Sequence, residues 1–222
     1  MEMAGNLPPA ATPGADVIVS VILAAGAGTR FRDDRPGGAG HKLDARLGEQ
    51  SLLARAVDAA VAAATGPVVV VTAGQVRTTL PPDVIHVVNH RWAQGQSTSL
   101  LAAVDTARQL AGSAIVVGLG DQPFVSPMAW RAVAATDAPI AVATYDGRRG
   151  HPVRLRQDVW PLLPDSGDQG ARELMRLRPD LVTAVPCAGS PIDIDTVEDL
   201  RRWQKNSSTS SPSTGRSRRP GA

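Results

Sequence analysis

The stretch Val17–Phe31, VIVSVILAAGAGTRF, decides the fold. Its first eight residues are an almost unbroken apolar run. A strand buried on both faces needs such a run, whereas a half-exposed strand would alternate. The run ends in Gly26 and Gly28, so a buried strand feeds directly into a glycine-rich turn. Glycine lacks a side chain and tolerates positive φ, which lets backbone N–H groups approach an anion closely.

The pattern repeats outward from this strand. Ser51–Thr65 reads as a helix with Ser51 as its cap, and Gly66-Pro67 ends it. Val68–Thr72, Val84–Val88 and Ala114–Leu119 read as further buried strands. Between them, Thr98–Leu110 reads as a helix capped by Ser97 or Thr98, and Ser126-Pro127 opens another. Ile140–Thr144 and Pro152–Leu155 flank a β excursion. Gly167–Arg178 reads as helix and Leu181–Pro186 as strand, and Thr196 caps a last helix to about Lys205. Strands alternating with helices imply an α/β fold, a mainly parallel sheet covered on both faces. Ligands of such sheets bind beyond the carboxyl ends of the strands. Chemistry is therefore expected just after Ala24, Val88, Leu119 and Pro186.

Composition narrows the function. The chain has 222 residues, 43% hydrophobic and 3% aromatic, with one cysteine, Cys187. A body of this size hides roughly 70% of its unfolded surface. One cysteine excludes a disulfide framework. No run approaches the length of a membrane span, and Met1–Ala15 lacks the basic and apolar parts of a signal peptide. A cytoplasmic location is expected. Of the 23 basic residues three lie in 206–222, and of the 21 acidic residues one precedes residue 16. The body, 16–205, thus holds twenty of each. A neutral body poor in aromatics argues against nucleic-acid binding. Residues 1–15 and the basic Ser/Pro-rich 206–222 are expected to be disordered extensions.

Several constellations carry chemistry. LAAGAGTRF (Leu23–Phe31) lacks the third glycine of the dinucleotide fingerprint and the Lys-Ser/Thr of the Walker loop. What remains is G-x-G-x-R followed by Lys42. Arg30 offers a two-pronged guanidinium and Lys42 a point charge, both suited to a triphosphate. The body has eighteen arginines and two lysines, so a lysine just past this loop stands out. GLGDQPFVSP (Gly118–Pro127) places Asp121 at a strand's carboxyl end. SPIDIDTVEDL (Ser190–Leu200) puts Asp193 and Asp195 on one side of an extended chain, with Thr196 and Asp199 spaced as a capping box. Mg²⁺ takes oxygen ligands and keeps several waters, so one or two carboxylates suffice to hold it. NHRWAQGQSTSL (Asn89–Leu100) brings Gly95, Ser97 and Ser99, small groups suited to reading a base edge. GRRGHPVRL (Gly147–Leu155) brings His151. Taken singly, each has a plain structural alternative: a turn, a capping acid, solvated acids, a core histidine.

Together, LAAGAGTRF…Lys42, GDQP, GHPV and DIDTVEDL resemble the nucleotidyltransferases of the molybdenum-cofactor type, cytidylyltransferase-like, over about residues 16–203. The resemblance implies a Rossmann-like three-layer sandwich of the nucleotide-diphospho-sugar transferase type. It implies phosphate and nucleotide binding by Leu23, Ala24, Ala25, Gly26 and Gly28, with Arg30, Lys42 and Asp121 catalytic. It implies Mg²⁺ on Asp121 and Asp195, with Asp193 in reserve, and base recognition by Gly95, Ser97 and Ser99. Ala25 is similar to the cytidylyltransferase pattern, where guanylyltransferases usually show Gly. CTP and the phosphate of a small acceptor, molybdenum cofactor, are the implied substrates, and a molybdoenzyme or its maturation factor the implied protein partner. The alternatives are GTP or a sugar phosphate, or an inactive delivery relative. DDRPGGAG (Asp33–Gly40) departs from the family by lengthening the path to Lys42, and Phe31-Arg32 departs from the usual residues there.

Overall fold

The computed structural model describes residues 16–26, 28, 31, 41–74 and 76–208, the last four of them as backbone only. The expected extension 1–15, residues 209–222 of the expected tail 206–222, residue Arg30 and the segment 33–40 lie outside the described residues. Among the described residues nine strands are present: β1 Val17–Ala24, β2 Arg46–Leu47, β3 Gln50–Ser51, β4 Val68–Thr72, β5 Val84–Val88, β6 Gly112–Leu119, β7 Ile140–Tyr145, β8 Arg148–Arg156 and β9 Val182–Pro186. Five α-helices accompany them: α1 Leu52–Ala63, α2 Gln96–Gln109, α3 Pro127–Ala134, α4 Ala171–Leu177 and α5 Val197–Ser208.

The main sheet has seven strands in the order β5-β4-β1-β6-β8-β7-β9. All pairings are parallel except the two made by β8, which runs against both β6 and β7. The sheet is thus mainly parallel, with β1 in its interior between β4 and β6. β8 opposes β6 with Val153 beside Val117, so the start of β8 lies at the carboxyl ends of the other strands. The β2–β3 hairpin stands apart.

Strand β1 is buried on both faces because helices cover both. Val19, Val21 and Leu23 pack with Leu100, Val104 and Ala107 of α2, and with Trp160 and Leu174. Ile22 and Ala24 face the other way, onto Leu53 and Val57 of α1 and Trp130 and Val133 of α3. This is the three-layer sandwich expected. Burying an aliphatic side chain of this size contributes roughly 1.5–3 kcal/mol. A smaller cluster of Leu47, Leu52, Ile194 and Leu200, with Phe124 and Trp203 against it, docks α5 onto the β2–β3 hairpin.

Local caps follow the sequence in three places. Ser51 and Ser126 accept from the N–H groups of Ala54 and Ala129. Thr196 and Asp199 form a reciprocal capping box, Asp199 N–H to Thr196 Oγ1 at 3.1 Å and Thr196 N–H to Asp199 Oδ2 at 3.0 Å. Three expectations change. Helix α2 begins at Gln96, because Gly95 at φ +109° provides the entry and the Thr98 hydroxyl is occupied by Asn89. Helix α4 begins at Ala171, since Gly167 and Gly170 both take positive φ. Helix α5 continues to Ser208, three residues into the expected tail.

Candidate active site

The carboxyl ends of β1 and β6 and the loop after β5 open onto one cleft of about 340 Å³. Leu23, Ala24, Ala25, Gly26 and Gly28 form one wall and Lys42 and Asp121 the floor. Gly95 and Ser99 form the facing wall with Trp92 and Gln96. Ser97 does not line this cleft: it is fully buried, and its hydroxyl finds no partner.

Gly28 has φ +61°, and a Cβ there would stand 3.0 Å from Lys42 Cβ. The phosphate-type loop and Lys42 are therefore in direct contact. Next to them, the His41 ring bridges two backbones. Leu43 donates its N–H to His41 Nδ1 at 3.3 Å, which leaves the proton on Nε2, and Nε2 donates to the Gly26 carbonyl at 2.9 Å. Leu43 is buried in the core, so the short 3-10 helix Lys42–Asp44 is anchored from below.

Lys42 is the centre of the polar floor. Its ammonium donates to Asp121 Oδ2 at 2.7 Å and to Asp195 Oδ1 at 2.6 Å. Only 8% of Lys42 is exposed. Burial alone would lower its pKa, but the charges and hydrogen bonds of Asp121 and Asp195 outweigh that, and the pKa lies above the ordinary lysine value. The lysine expected to serve phosphates is thus paired with the two acids expected to serve a metal. Asp193 points elsewhere, accepting from Gln122 Nε2 at 2.7 Å. Burial, and then the nearby Asp121 and Asp195 charges, push its pKa up against the Gln122 hydrogen bond. Among the described residues no three His, Cys, Asp or Glu side chains converge as a metal cage. Two carboxylates do converge on one cation, which is the donor set a water-rich Mg²⁺ site uses.

The facing wall is built by Asn89. Its amide donates to Thr98 Oγ1 and Ser99 Oγ, each at 2.9 Å, and its carbonyl accepts from the Arg91 N–H. Gly95 lies against the backbone of Gly167, where a Cβ would meet the Gly167 carbonyl at 2.4 Å. Ser97 N–H donates to Gly167 O, and Gly167 N–H to Gln94 O. This contact brings Asp168 into the cleft. Beyond it, Leu23, Gln96 and Leu119 continue into a second pocket holding His151, Gln169, Arg172 and Met175. A third, lined by Arg149, Arg172 and Arg176, follows. Burial, with Arg172 adding and Asp121 opposing, pushes the His151 pKa down to about 4. The ring is neutral at neutral pH.

Sequence reasoning singled out neither Trp92, Asp168 nor Arg172. Residues 165–175 carry no diagnostic chemistry in isolation; the Gly167–Gly170 turn that places Asp168 and Arg172 depends on a contact with Gly95.

Residues 20–184 match the MobA-like NTP transferase domain. The chain belongs to this family. Relatives from the family's neighbourhood agree on its fold. Rv0371c from Mycobacterium tuberculosis H37Rv superposes with a TM-score of 0.70 at 26% identity, covering 86% of this chain and 99% of that one. A further structure of that protein is a complex with manganese. A nucleotidyl transferase from Methanothermobacter thermautotroptrophicus superposes with a TM-score of 0.71 at 25% identity, covering 89% and 100%. Nicotine blue oxidoreductase of Paenarthrobacter nicotinovorans is 32% identical over 203 residues, 83% of this chain and 95% of that protein. The MobA-like domain here contains no helix, among the described residues, long and apolar enough to cross a membrane.

Proposed function

We propose that this MobA-like domain transfers a cytidylyl group from CTP to the phosphate of a small acceptor of the molybdenum-cofactor kind and releases pyrophosphate. The observation that carries the reading is the meeting of Asp121 and Asp195 on Lys42, which lines the cleft with Asp121 and touches the glycine loop. In this reading an acceptor phosphate oxygen attacks the α-phosphorus. The bond from the α-phosphorus to the bridging oxygen breaks, and pyrophosphate carries that electron pair away. A phosphate is already nucleophilic at neutral pH, so alignment and charge neutralisation suffice.

The glycine loop holds the phosphates, and Arg30 with Lys42 supplies positive charge to the leaving pyrophosphate. Asp121 and Asp195 would hold Mg²⁺, which when bound supplies positive charge at the α-phosphate; the manganese complex of Rv0371c favours a divalent cation. Gly95 and Ser99 face the base, with Trp92 beside them. Ala25 favours cytosine. The acceptor enters past His151 and Arg172, where a neutral imidazole can accept a hydrogen bond and a guanidinium can meet an oxyanion. A molybdoenzyme or its maturation factor is the partner that would receive the product, in the cytoplasm.

Pyrophosphate release, measured with CTP, GTP, UTP and ATP and purified molybdenum cofactor, tests this. CTP-selective release supports it. Release with GTP alone, or only with a sugar phosphate as acceptor, replaces the substrates. A second reading rests on the oxidoreductase relative at 32% identity. It expects an oxidation or reduction of nicotine blue, with no pyrophosphate released from any nucleotide.

A further inference from the structure

Asp121 and Asp195 already share one cation that belongs to the chain. The Lys42 ammonium is within 2.7 Å of one carboxylate and 2.6 Å of the other. We propose that Lys42 is an internal counter-ion that keeps the metal seat closed, and that it leaves only when nucleotide phosphates give it another anion, so that divalent cation and nucleotide bind as a linked pair. The proposal rests on the reading of Asp121 and Asp195 as that seat.

Three observations support it. First, the ammonium uses the carboxylate oxygens a metal would use. Mg²⁺ binds oxygen at about 2.0–2.1 Å, and a doubly charged ion cannot share the two oxygens with an ammonium in the same position. Second, Lys42 is almost wholly buried. Parting it from both acids with no replacement would strand a buried charge, which is strongly unfavourable. A metal alone therefore meets a competitor with nowhere to go. Third, a replacement anion would arrive at the right place. Lys42 stands against Gly28, whose missing side chain leaves the close approach. The core side chain Leu43 fixes the backbone, so rotation of the Lys42 side chain accomplishes the exchange. The coupling is reciprocal: nucleotide raises metal affinity and metal raises nucleotide affinity by the same factor.

The test is binding, independent of turnover. Free Mn²⁺ is followed by electron paramagnetic resonance during titration of the full chain, with and without a CTP analogue carrying a methylene between α- and β-phosphorus. Wild type should bind Mn²⁺ alone at least about ten-fold more weakly than with the analogue, a difference of about 1.4 kcal/mol. Lys42→Met should bind Mn²⁺ alone at least about ten-fold tighter than wild type alone. Lys42→Arg keeps a cation and should stay as reluctant as wild type. A Lys42→Met chain no tighter than wild type overturns the proposal, as does equal tightening in Lys42→Arg. Should Lys42→Met not fold, absence of any gain when the analogue is added to wild type overturns it. Failure of wild type and Lys42→Met to take up Mn²⁺ in any condition removes the seat, and the proposal with it. If Lys42→Met gains Mn²⁺ affinity but the analogue brings no gain to wild type, the linked-pair proposal is overturned while the reading of the two acids as a metal seat stands.

Discussion

Ile194 donates its backbone N–H to the carbonyl of Asp121 at 3.1 Å. This bond ties the segment carrying Asp193 and Asp195 to the end of β6, which carries Asp121. The Ile194 side chain is fully buried among Leu47, Leu52 and Leu200. Gln122 adds a second tie, donating to the Pro191 carbonyl and to Asp193. The spacing of the acids is thus a product of how α5 docks. Ile194→Ala should cost about 2–4 kcal/mol of stability. The proposed transfer rate should fall in protein that is still folded. Denaturant melts with rates measured well below the transition check this, and full activity in the folded variant would separate the docking from the chemistry.

Asp121→Ala removes one of the two carboxylates facing Lys42. A loss of transition-state charge stabilisation should lower turnover by about 10²-fold or more. Steady-state pyrophosphate release measures it. Turnover within a few-fold of wild type would exclude Asp121 from the mechanism.

Gly95→Ala tests the contact between the facing wall and the Gly167 turn. Its φ of +109° is unfavourable for any side chain, and its Cβ would lie 2.4 Å from the Gly167 carbonyl. Strain of this kind should cost about 2 kcal/mol or more, lowering the melting temperature by roughly 5 °C for a domain of this size. Nucleotide affinity should weaken with it. A melting point unchanged by calorimetry would mean that Gly167 yields easily.

His151 gives the fold a pH dependence. Its pKa falls from 6.5 to about 4 on folding, mainly through burial. Between these values the unfolded chain binds the proton and the native chain does not, so stability rises with pH. The contribution is complete above about pH 6.5 and is lost as pH falls towards 4, up to about 3 kcal/mol. Urea unfolding at pH 7 and pH 4.5 should show a smaller drop for His151→Gln than for wild type. Equal drops would place the effect on other groups.

The sheet was the legible part of the chain. Val68–Thr72 and Val84–Val88 are found within their expected bounds, because valine-rich runs closed by Gly, Pro or Asn leave little choice. The glycine loop, Lys42, Asp121 and the Thr196 box were legible for the same reason, each being local in sequence. Lys42 binding both aspartates was not. Its partners are 79 and 153 residues away, and nothing local distinguishes a lysine awaiting phosphate from one neutralising acids. The helix starts at Gln96 and Ala171 were missed because Gly95, Gly167 and Gly170 take conformations set by tertiary contact. His151, singled out by its motif, lies near the beginning of its strand and not beyond the end of one. It reaches the cleft side because β8 is reversed.

That reversal places a hairpin tip at the rim. The turn at Asp146 and Gly147 is held by its own positive φ angles, 49° and 77°, and nothing lies within 4 Å of where a Gly147 side chain would begin. Sequence changes there leave the central strands and the glycine loop untouched while reshaping the wall that leads to His151 and Arg149. Adaptation of this scaffold to a new small molecule therefore has a natural address, separate from the parts proposed to hold the triphosphate.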